Sequence, residues 1–317
     1  MSGVLVTGGT GKTGSALAAL LRGDGVPVRV AVRNPPADDP GAVRFDWSDP
    51  ATHPAALRGM DRVYLVPPVN SVDPLPLVGP FLDEAERIGV RRVVLLGSAV
   101  ELPDAPGALE LAARVRARPG WVVLRASGFM QNFLPPHPLG EHIRRHGEIR
   151  TAAGDGRLGW IDAHDIAATA RALLSDPDAG QGDHLPADSG AEQGDRAGHL
   201  PAGSGAERGD RAGHLPAEQG DFLLTGPKAL SYQDAAAIIA ARTGRPIRVR
   251  HVTPGEMAAG YRAGGLPEEF AAALAAVDAG LGAGRDDAVS TAVLDLTGRP
   301  PRSFDAFVRD HVREWLP

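Results

Sequence analysis

Apolar residues in this chain fall alternately in short β-branched runs and in helical spacing, and the alternation persists through the first half. Val4-Leu5-Val6 reads as a buried strand, and Leu17, Leu20 and Leu21 give the segment from Ser15 an apolar helical face. Pro27 to Val32, Val43 to Trp47, Val63 to Val66, Arg92 to Leu96 and Trp121 to Leu124 read as further strands. Between them, Ala51 to Leu57 is a short helix candidate, and Phe81, Leu82, Ala85 and Ile88 share one face of a longer helix. This alternation predicts an α/β fold built on a doubly wound parallel Rossmann sheet.

Later segments are less regular. Ala152 to Gly156 reads as a turn before a strand holding Trp160 and Ile161, and Asp162 or Asp165 reads as the cap of a helix over Ile166 to Leu174, with a catalytic Asp as the alternative. Phe222 to Thr225 resumes as a strand. Ser231-Tyr-Gln-Asp234 has the shape of a capping box, with Asp in place of Glu, and opens a helix that stops at Gly244. Ile247 to Val252 alternates like an exposed strand. Met257, Tyr261, Phe270 and Leu274 belong to a helical carboxyl-terminal lobe, as pocket walls or as plain core. Phe304, Phe307, Val308, His311, Val312 and Trp315 form the apolar stripe of a final helix that docks on the body. The expected organisation is a Rossmann domain over 1–182, with part of 130–160 contributing to a smaller α/β carboxyl-terminal substrate lobe. An insertion over 183–220 separates it from 221–317, which is mainly that lobe. His184, His199 and His214 each begin His-Leu-Pro-Ala, a 15-residue spacing with little apolar content, and this reads as a duplicated, disordered loop.

The break after Val6 carries the chemistry. In Thr7-Gly8-Gly9-Thr10-Gly11-Lys12-Thr13-Gly14 the glycines at 8, 11 and 14 lie between strand and helix, the setting in which backbone approaches a dinucleotide pyrophosphate. Such glycines serve a tight turn, close approach to phosphate and close packing of helix on strand. The helix amino end adds free N–H groups and a positive dipole end. About twenty residues on, where an acid would take a ribose diol, the second strand ends instead at Arg33. A guanidinium there suits a 2′-phosphate, so NADP(H) is expected over NAD(H), with Lys12 adding charge. Asp46 either faces the adenine edge or begins a turn. With Trp47, Pro67 at the end of the fourth strand and Ser98 at the end of the fifth, it completes the candidate cofactor set.

Composition narrows the partners. The 317 residues, 43% hydrophobic and 23% charged, suffice for one large α/β domain with a second lobe. A net charge of −6 removes any global basic field, so nucleic acid is not expected. Without cysteine there is no disulfide, thiolate zinc site or cysteine nucleophile. His137, His142, His146 and His164 lack the spacing of a metal motif, and no metal is expected. The first strand leaves no room for a signal peptide and no apolar run reaches membrane-spanning length. The expectation is a cytoplasmic protein, with no membrane association, acting on a small-molecule substrate.

Thr7 to Gly14, Arg33-Asn34-Pro35 and Leu124-Arg-Ala-Ser-Gly-Phe-Met-Gln-Asn-Phe133 together resemble the NmrA-like branch of the atypical short-chain dehydrogenases. Trp160 to Ala167 and Leu224 to Tyr232 match the same branch. Within it, Phe45-Asp-Trp47, Val63 to Val66 and Gly154-Asp-Gly156 are most similar to the ergot-alkaloid reductases. The likeness covers nearly the whole chain except about 183–220. It implies a Rossmann domain with a small substrate lobe and NADPH-dependent reduction of an imine or iminium. Phe129 and Asn132, beyond the sixth strand, and Tyr261 in the lobe are the candidate pocket residues.

One constellation of the wider family is missing. Most short-chain dehydrogenases carry Tyr-x-x-x-Lys on the helix after the fifth strand, but Glu101 to Arg118 contains neither residue. The lysines of the chain are Lys12 and Lys228, and its tyrosines are Tyr64, Tyr232 and Tyr261. Hydride addition to a ketone builds alkoxide charge and needs a donor, whereas addition to an iminium removes charge. Imine or iminium reduction therefore leads, with quinone or enone reduction as the alternative. A third possibility is an NADP-sensing regulator without turnover. Ser98 keeps a positioning role, and no catalytic residue is otherwise assigned.

Overall fold

The β-branched and leucine runs form parallel strands close to where their pattern predicts. The computed structural model describes residues 3–100, 106–175, 220–281 and 287–316. The repeat-bearing insertion assigned to 183–220 lies, except for Gly220, outside the described residues. In chain order the strands are β1 (Val4–Val6), β2 (Val28–Val32), β3 (Ala42–Arg44), β4 (Arg62–Leu65), β5 (Arg92–Ser98), β6 (Val122–Ala126), β7 (Glu148–Thr151), β8 (Arg157–Leu158), β9 (Asp221–Leu224), β10 (Leu230–Ser231) and β11 (Arg248–His251). The helices are α1 (Lys12–Gly23), α2 (His53–Leu57), α3 (Leu75–Arg87), α4 (Gly107–Arg116), α5 (Pro138–His146), α6 (Ala163–Ser175), α7 (Tyr232–Thr243), α8 (Pro254–Ala263), α9 (Glu268–Leu281), α10 (Ala292–Thr297) and α11 (Phe304–Asp310).

A seven-stranded sheet runs β3-β2-β1-β4-β5-β6-β9, parallel at every pairing. Its side chains alternate between two cores, as the period of two requires. Leu5, Val63, Leu65, Val93, Leu95 and Val123 meet one core, which also takes Phe81, Leu82 and Val115 from α3 and α4. Val4, Val6, Tyr64, Val94, Val122 and Leu124 meet the other, with Leu17 and Leu21 of α1 and Ile166 and Ala170 of α6. The strand order reverses between β1 and β4, so a crevice opens beyond their carboxyl ends, where open α/β sheets of this kind take ligands. A third core, holding Met130, Phe133, Trp160, Ile239, Phe307 and Trp315, belongs to the lobe. There β7 pairs with β11 and β8 with β10. The capping box is present: Asp234 N–H donates to Ser231 Oγ at 3.1 Å, and Ser231 N–H donates to Asp234 Oδ2 at 3.0 Å. No helix among the described residues is long and apolar enough to cross a membrane.

Several boundaries differ from the sequence pattern. β3 stops at Arg44 because Phe45 turns into the core against Phe81, leaving Asp46 and Trp47 beyond the strand. Ile88 is 39% exposed rather than part of the apolar face, because α3 ends before it and the chain reverses at Gly89 with φ 80°. The strand expected at Trp160 and Ile161 is β8, ending at Leu158; beyond it Ile161 makes an isolated parallel bridge to Phe129 instead. Helix α6 begins at Ala163 rather than Ile166, with Asp162 accepting the His164 N–H at 2.9 Å. The final helix is broken at His311, and Val312–Trp315 forms a 3-10 turn. The break lets Trp315, fully buried, donate from Nε1 to the Phe133 carbonyl at 2.7 Å.

Candidate functional site

The turn between β1 and α1 is shaped by its glycines, for three different reasons. Gly8 has φ 61°, a left-handed conformation, and the Gly11 N–H closes the turn onto its carbonyl at 2.8 Å. A Cβ at Gly14 would lie 2.3 Å from the Gly8 carbonyl oxygen, and one at Gly9 would lie 2.1 Å from Val30 Cγ1, so both allow α1 to sit tight on the sheet. Gly11 differs. A Cβ there would meet only the Gly8 carbonyl oxygen at 3.1 Å, and it would otherwise project into the open crevice. Gly11 is also the N-cap of α1 and gives the helix no side-chain cap. The first-turn N–H groups therefore face the crevice, where a pyrophosphate fits.

Neighbouring residues hold this turn in place. The fully buried Thr7 hydroxyl accepts the Val66 N–H at 2.7 Å and so ties β1 to the end of β4, one residue before Pro67. Thr13 is buried beside the Tyr64 phenol, whose pKa burial pushes up, while Thr10 stays exposed. Lys12, the first residue of α1, reaches across the crevice and donates from Nζ to Asn132 Oδ1 at 3.0 Å. Burial lowers its pKa. Next to it, His137 caps α5 by accepting the Leu139 N–H at Nδ1, 3.3 Å away. That contact leaves the ring proton on Nε2, and the ring also bonds the Asn132 backbone. Burial first, and then the Lys12 charge, pushes the His137 pKa down to about 4, so this imidazole is neutral at physiological pH.

Arg33 is exposed immediately after β2, close enough to Asp46 for its charge to act on that carboxyl. Asp46 takes the turn alternative: its Oδ1 accepts the Ser48 N–H at 2.9 Å and the Ser48 hydroxyl at 2.7 Å. Those bonds, with smaller effects of the Arg33 and Arg44 charges, hold its carboxyl below the usual range. Trp47 is half-buried and packs edge-on against Phe45, with centroids 4.7 Å apart. The structure thus brings Arg33 near the Asp46 turn and Lys12 to Asn132.

Ser98 ends β5, exposed, but its hydroxyl is engaged locally. It donates to the Val100 carbonyl at 2.7 Å and accepts the Val100 N–H at 3.1 Å. Neither Tyr nor Lys occurs on α4 to relay a proton to it. Ser98→Ala is expected to slow single-turnover hydride transfer by less than about tenfold, against roughly a hundredfold or more for loss of an essential donor. Stopped-flow measurement with the deuterated nicotinamide cofactor checks this, and a thousandfold loss would overturn the acid-free scheme and return carbonyl reduction to the front.

Phe129, half-buried, opens the segment that carries Asn132, while Tyr261 on α8 is placed beside Asp278 of α9. Asp278 accepts from Thr151 Oγ1 at 2.9 Å and from the Ala152 N–H, and burial raises its pKa against those donors. Burial first, and then the Asp278 charge, raises the phenol pKa values of Tyr232 and Tyr261. Tyr232 also lies 5.3 Å from Trp160 and 6.1 Å from Phe133, centroid to centroid, so an aromatic wall runs from the Asn132 turn into the lobe. The same turn is anchored from below. Asp162, fully buried, accepts from Gln131 Nε2 at 2.7 Å and from Arg302 at 2.9 Å.

Sequence reasoning missed Gln131, His137, Asp162 paired with Arg302, and Asp278. His137-Pro138 does carry a local signal, a polar residue just before a proline at the first helical position. The long-range pairs carry none, because Asp162 and Arg302 are 140 residues apart and Lys12 and Asn132 are 120 apart.

No family model matches the chain. It is 38% identical to the uncharacterised oxidoreductase YesF of Bacillus subtilis, over 98% of this chain and 96% of that protein. It is 32% identical to agroclavine dehydrogenase of Claviceps fusiformis, over 99% and 98% of the respective lengths. Among solved structures, an NADPH-dependent quinone oxidoreductase of Escherichia coli in complex with NADPH superposes with a TM-score of 0.70 at 20% identity. That match covers 98% of this chain and 99% of the other, and it shows a shared fold.

Proposed function

The chain belongs to the NmrA-like branch of the atypical short-chain dehydrogenases, a family of NAD(P)H-dependent oxidoreductases, and from that premise we propose that it uses NADPH to reduce a small imine or iminium. The observation that carries this reading is the engaged hydroxyl of Ser98 beside a helix α4 without Tyr or Lys. A carbonyl acceptor would leave alkoxide charge without the Tyr and Lys of the wider family, whereas a carbon–nitrogen double bond that is protonated before or during hydride addition ends as a neutral amine. The similarity to agroclavine dehydrogenase points to the same class of substrate.

In this reading the bound nicotinamide supplies the hydride, and the chain supplies placement and a dry pocket. The Gly8 to Gly14 turn and the first N–H groups of α1 hold the pyrophosphate. Arg33 takes the 2′-phosphate, and Trp47 with the Asp46 turn borders the adenine end. Pro67 and Ser98 shape the crevice floor, and Phe129, Asn132 and Tyr261 line the substrate side. Arg33→Ala is expected to weaken NADPH binding by about 1.5–3 kcal/mol, roughly ten- to a hundredfold, and NADH binding far less, because one charge-assisted phosphate contact is lost. Titration of both cofactors by fluorescence checks it; an equal loss removes Arg33 from that role.

The function itself is tested by an NADPH-oxidation screen over imines, quinones and enones with product identification. Product amine formation supports the proposal, and turnover confined to quinones or enones replaces it. Quinone or enone reduction has one observation of its own, the Lys12 ammonium held at Asn132, where in this reading it would favour charge developing on oxygen.

A further inference from the structure

Lys12 occupies an unusual place. It starts the helix whose amino end faces the crevice, yet its Nζ reaches Asn132, six residues beyond the end of β6. The glycine turn belongs to β1, and β6 stands on the far side of β4 and β5. In a sheet of this order the dinucleotide crosses from the β1–β2 half to the β4–β6 half, with the reacting ring on the latter. The Lys12 side chain follows the same crossing, so its ammonium lies on the reacting side. Its partner there is a neutral amide, which orients the charge without cancelling it. The titratable neighbour, His137, is kept neutral by burial, by Lys12 itself and by its cap to Leu139, so it does not compete as the acid.

We propose that Lys12, positioned by Asn132, donates the proton that completes reduction, and that the substrate is therefore a neutral imine rather than a permanently cationic iminium. The inference rests on the imine-reductase reading above and sharpens it. The imine carbon accepts the hydride of NADPH, the carbon–nitrogen π pair moves onto nitrogen, and nitrogen takes a proton from Lys12 Nζ. The products are the secondary amine and NADP+, with Lys12 left as the free amine until water reprotonates it. In the free chain desolvation lowers the Lys12 pKa, and the side chain keeps the solvent access through which it is reprotonated. The phosphates of a bound dinucleotide favour its charged form, so the donor is loaded when cofactor is present. A permanently cationic acceptor would meet like charge at this position, which disfavours its binding.

Two measurements test the assignment. The chain has only two lysines, Lys12 and Lys228, so lysine-selective 13C NMR of the free chain resolves Lys12 once Lys228→Arg assigns the other signal. Lys12 is expected to titrate below an ordinary lysine, and Asn132→Leu to shift that titration. An ordinary titration that Asn132→Leu leaves unmoved overturns the positioning. The second measurement is single-turnover reduction, at saturating NADPH, of a cyclic imine held neutral at high pH and of its N-methyl iminium. Lys12→Met is expected to lower the imine-to-iminium rate ratio by thirtyfold or more. Lys12→Arg, which keeps the charge but is a far weaker acid, is expected to lower it as well. An unchanged ratio in both variants overturns the proton-donor role and leaves imine reduction standing. A parent enzyme that reduces neither compound overturns the imine reading and this inference with it.

Discussion

Gly11→Val is expected to abolish tight binding of both NADPH and NADH while the chain stays folded. The backbone at Gly11 has φ −84° and ψ 174°, an extended conformation that valine adopts readily. The added Cβ would press on the Gly8 carbonyl oxygen at 3.1 Å, a contact that a small shift of the turn relieves, so the stability loss should stay near about 1 kcal/mol. The two γ-methyl groups, however, would fill the space in front of the α1 amino end. Both cofactors share a pyrophosphate, so both should lose affinity together, by roughly a hundredfold or more, equivalent to about 2.7 kcal/mol. Isothermal titration with each cofactor, beside a thermal melt, separates binding from folding. Retained affinity with an unchanged melt would remove the glycine turn as the phosphate cradle. Gly14→Val makes the opposite prediction, because its Cβ would lie 2.3 Å from backbone and the fold itself should fail.

Asp162→Ala should be among the most destabilising single changes in the chain. The carboxylate is fully buried and receives Gln131 Nε2, the His164 N–H and Arg302, so its removal leaves the Gln131 amide donor and the His164 N–H without that acceptor and leaves the guanidinium with Asp310 alone. Breaking a buried ion pair from one side costs about 3–5 kcal/mol. For a domain of this size that is a melting-temperature drop on the order of 10 °C. Arg302→Met should lose a similar amount. The double variant should lose less than the sum, since both single changes remove the same contact. Urea denaturation of the three variants checks this, and single losses below about 1 kcal/mol would mean that the pair is solvated.

The pH dependence separates the two acids of this corner. Hydrogen bonds from His164, Gln131 and Arg302 outweigh burial and hold the Asp162 carboxyl below its usual range. Its contribution is therefore present above the ordinary carboxylate pKa and is lost as pH falls through the lower folded value. Asp165 has the opposite sign. Burial, reinforced by the Asp162 charge, raises its pKa to about 6, so the folded state holds the proton longer than the unfolded one. Stability tied to Asp165 falls as pH rises from the ordinary carboxylate range to about 6. Asp162→Ala should thus lose its penalty in acid, while Asp165→Asn should gain stability relative to the parent as pH rises.

The sequence by itself determined what local chemistry governs. Val4 to Val6 had to be a buried strand, Gly8 to Gly14 a turn against a helix, and Ser231 with Asp234 a cap, because each depends on residues within a few positions. The order of strands and helices then limited the sheet to a parallel one, and the missing Tyr and Lys on α4 were visible without coordinates. Tertiary structure decided everything that depends on distant partners or on competition for a group. Ser98 stands at the expected strand end, but only the loop beyond β5 shows its hydroxyl committed to Val100. Asp46 had two roles open until Ser48 was seen to occupy its carboxylate. Ile88 fits the apolar stripe of α3 by spacing, yet the reversal at Gly89 turns it outward. Lys12 reads in the sequence as one more charge in a phosphate loop. The fold carries its ammonium to Asn132, on the other half of the crevice, because a parallel sheet brings the ends of β1 and β6 to the same edge however far apart they lie in the chain.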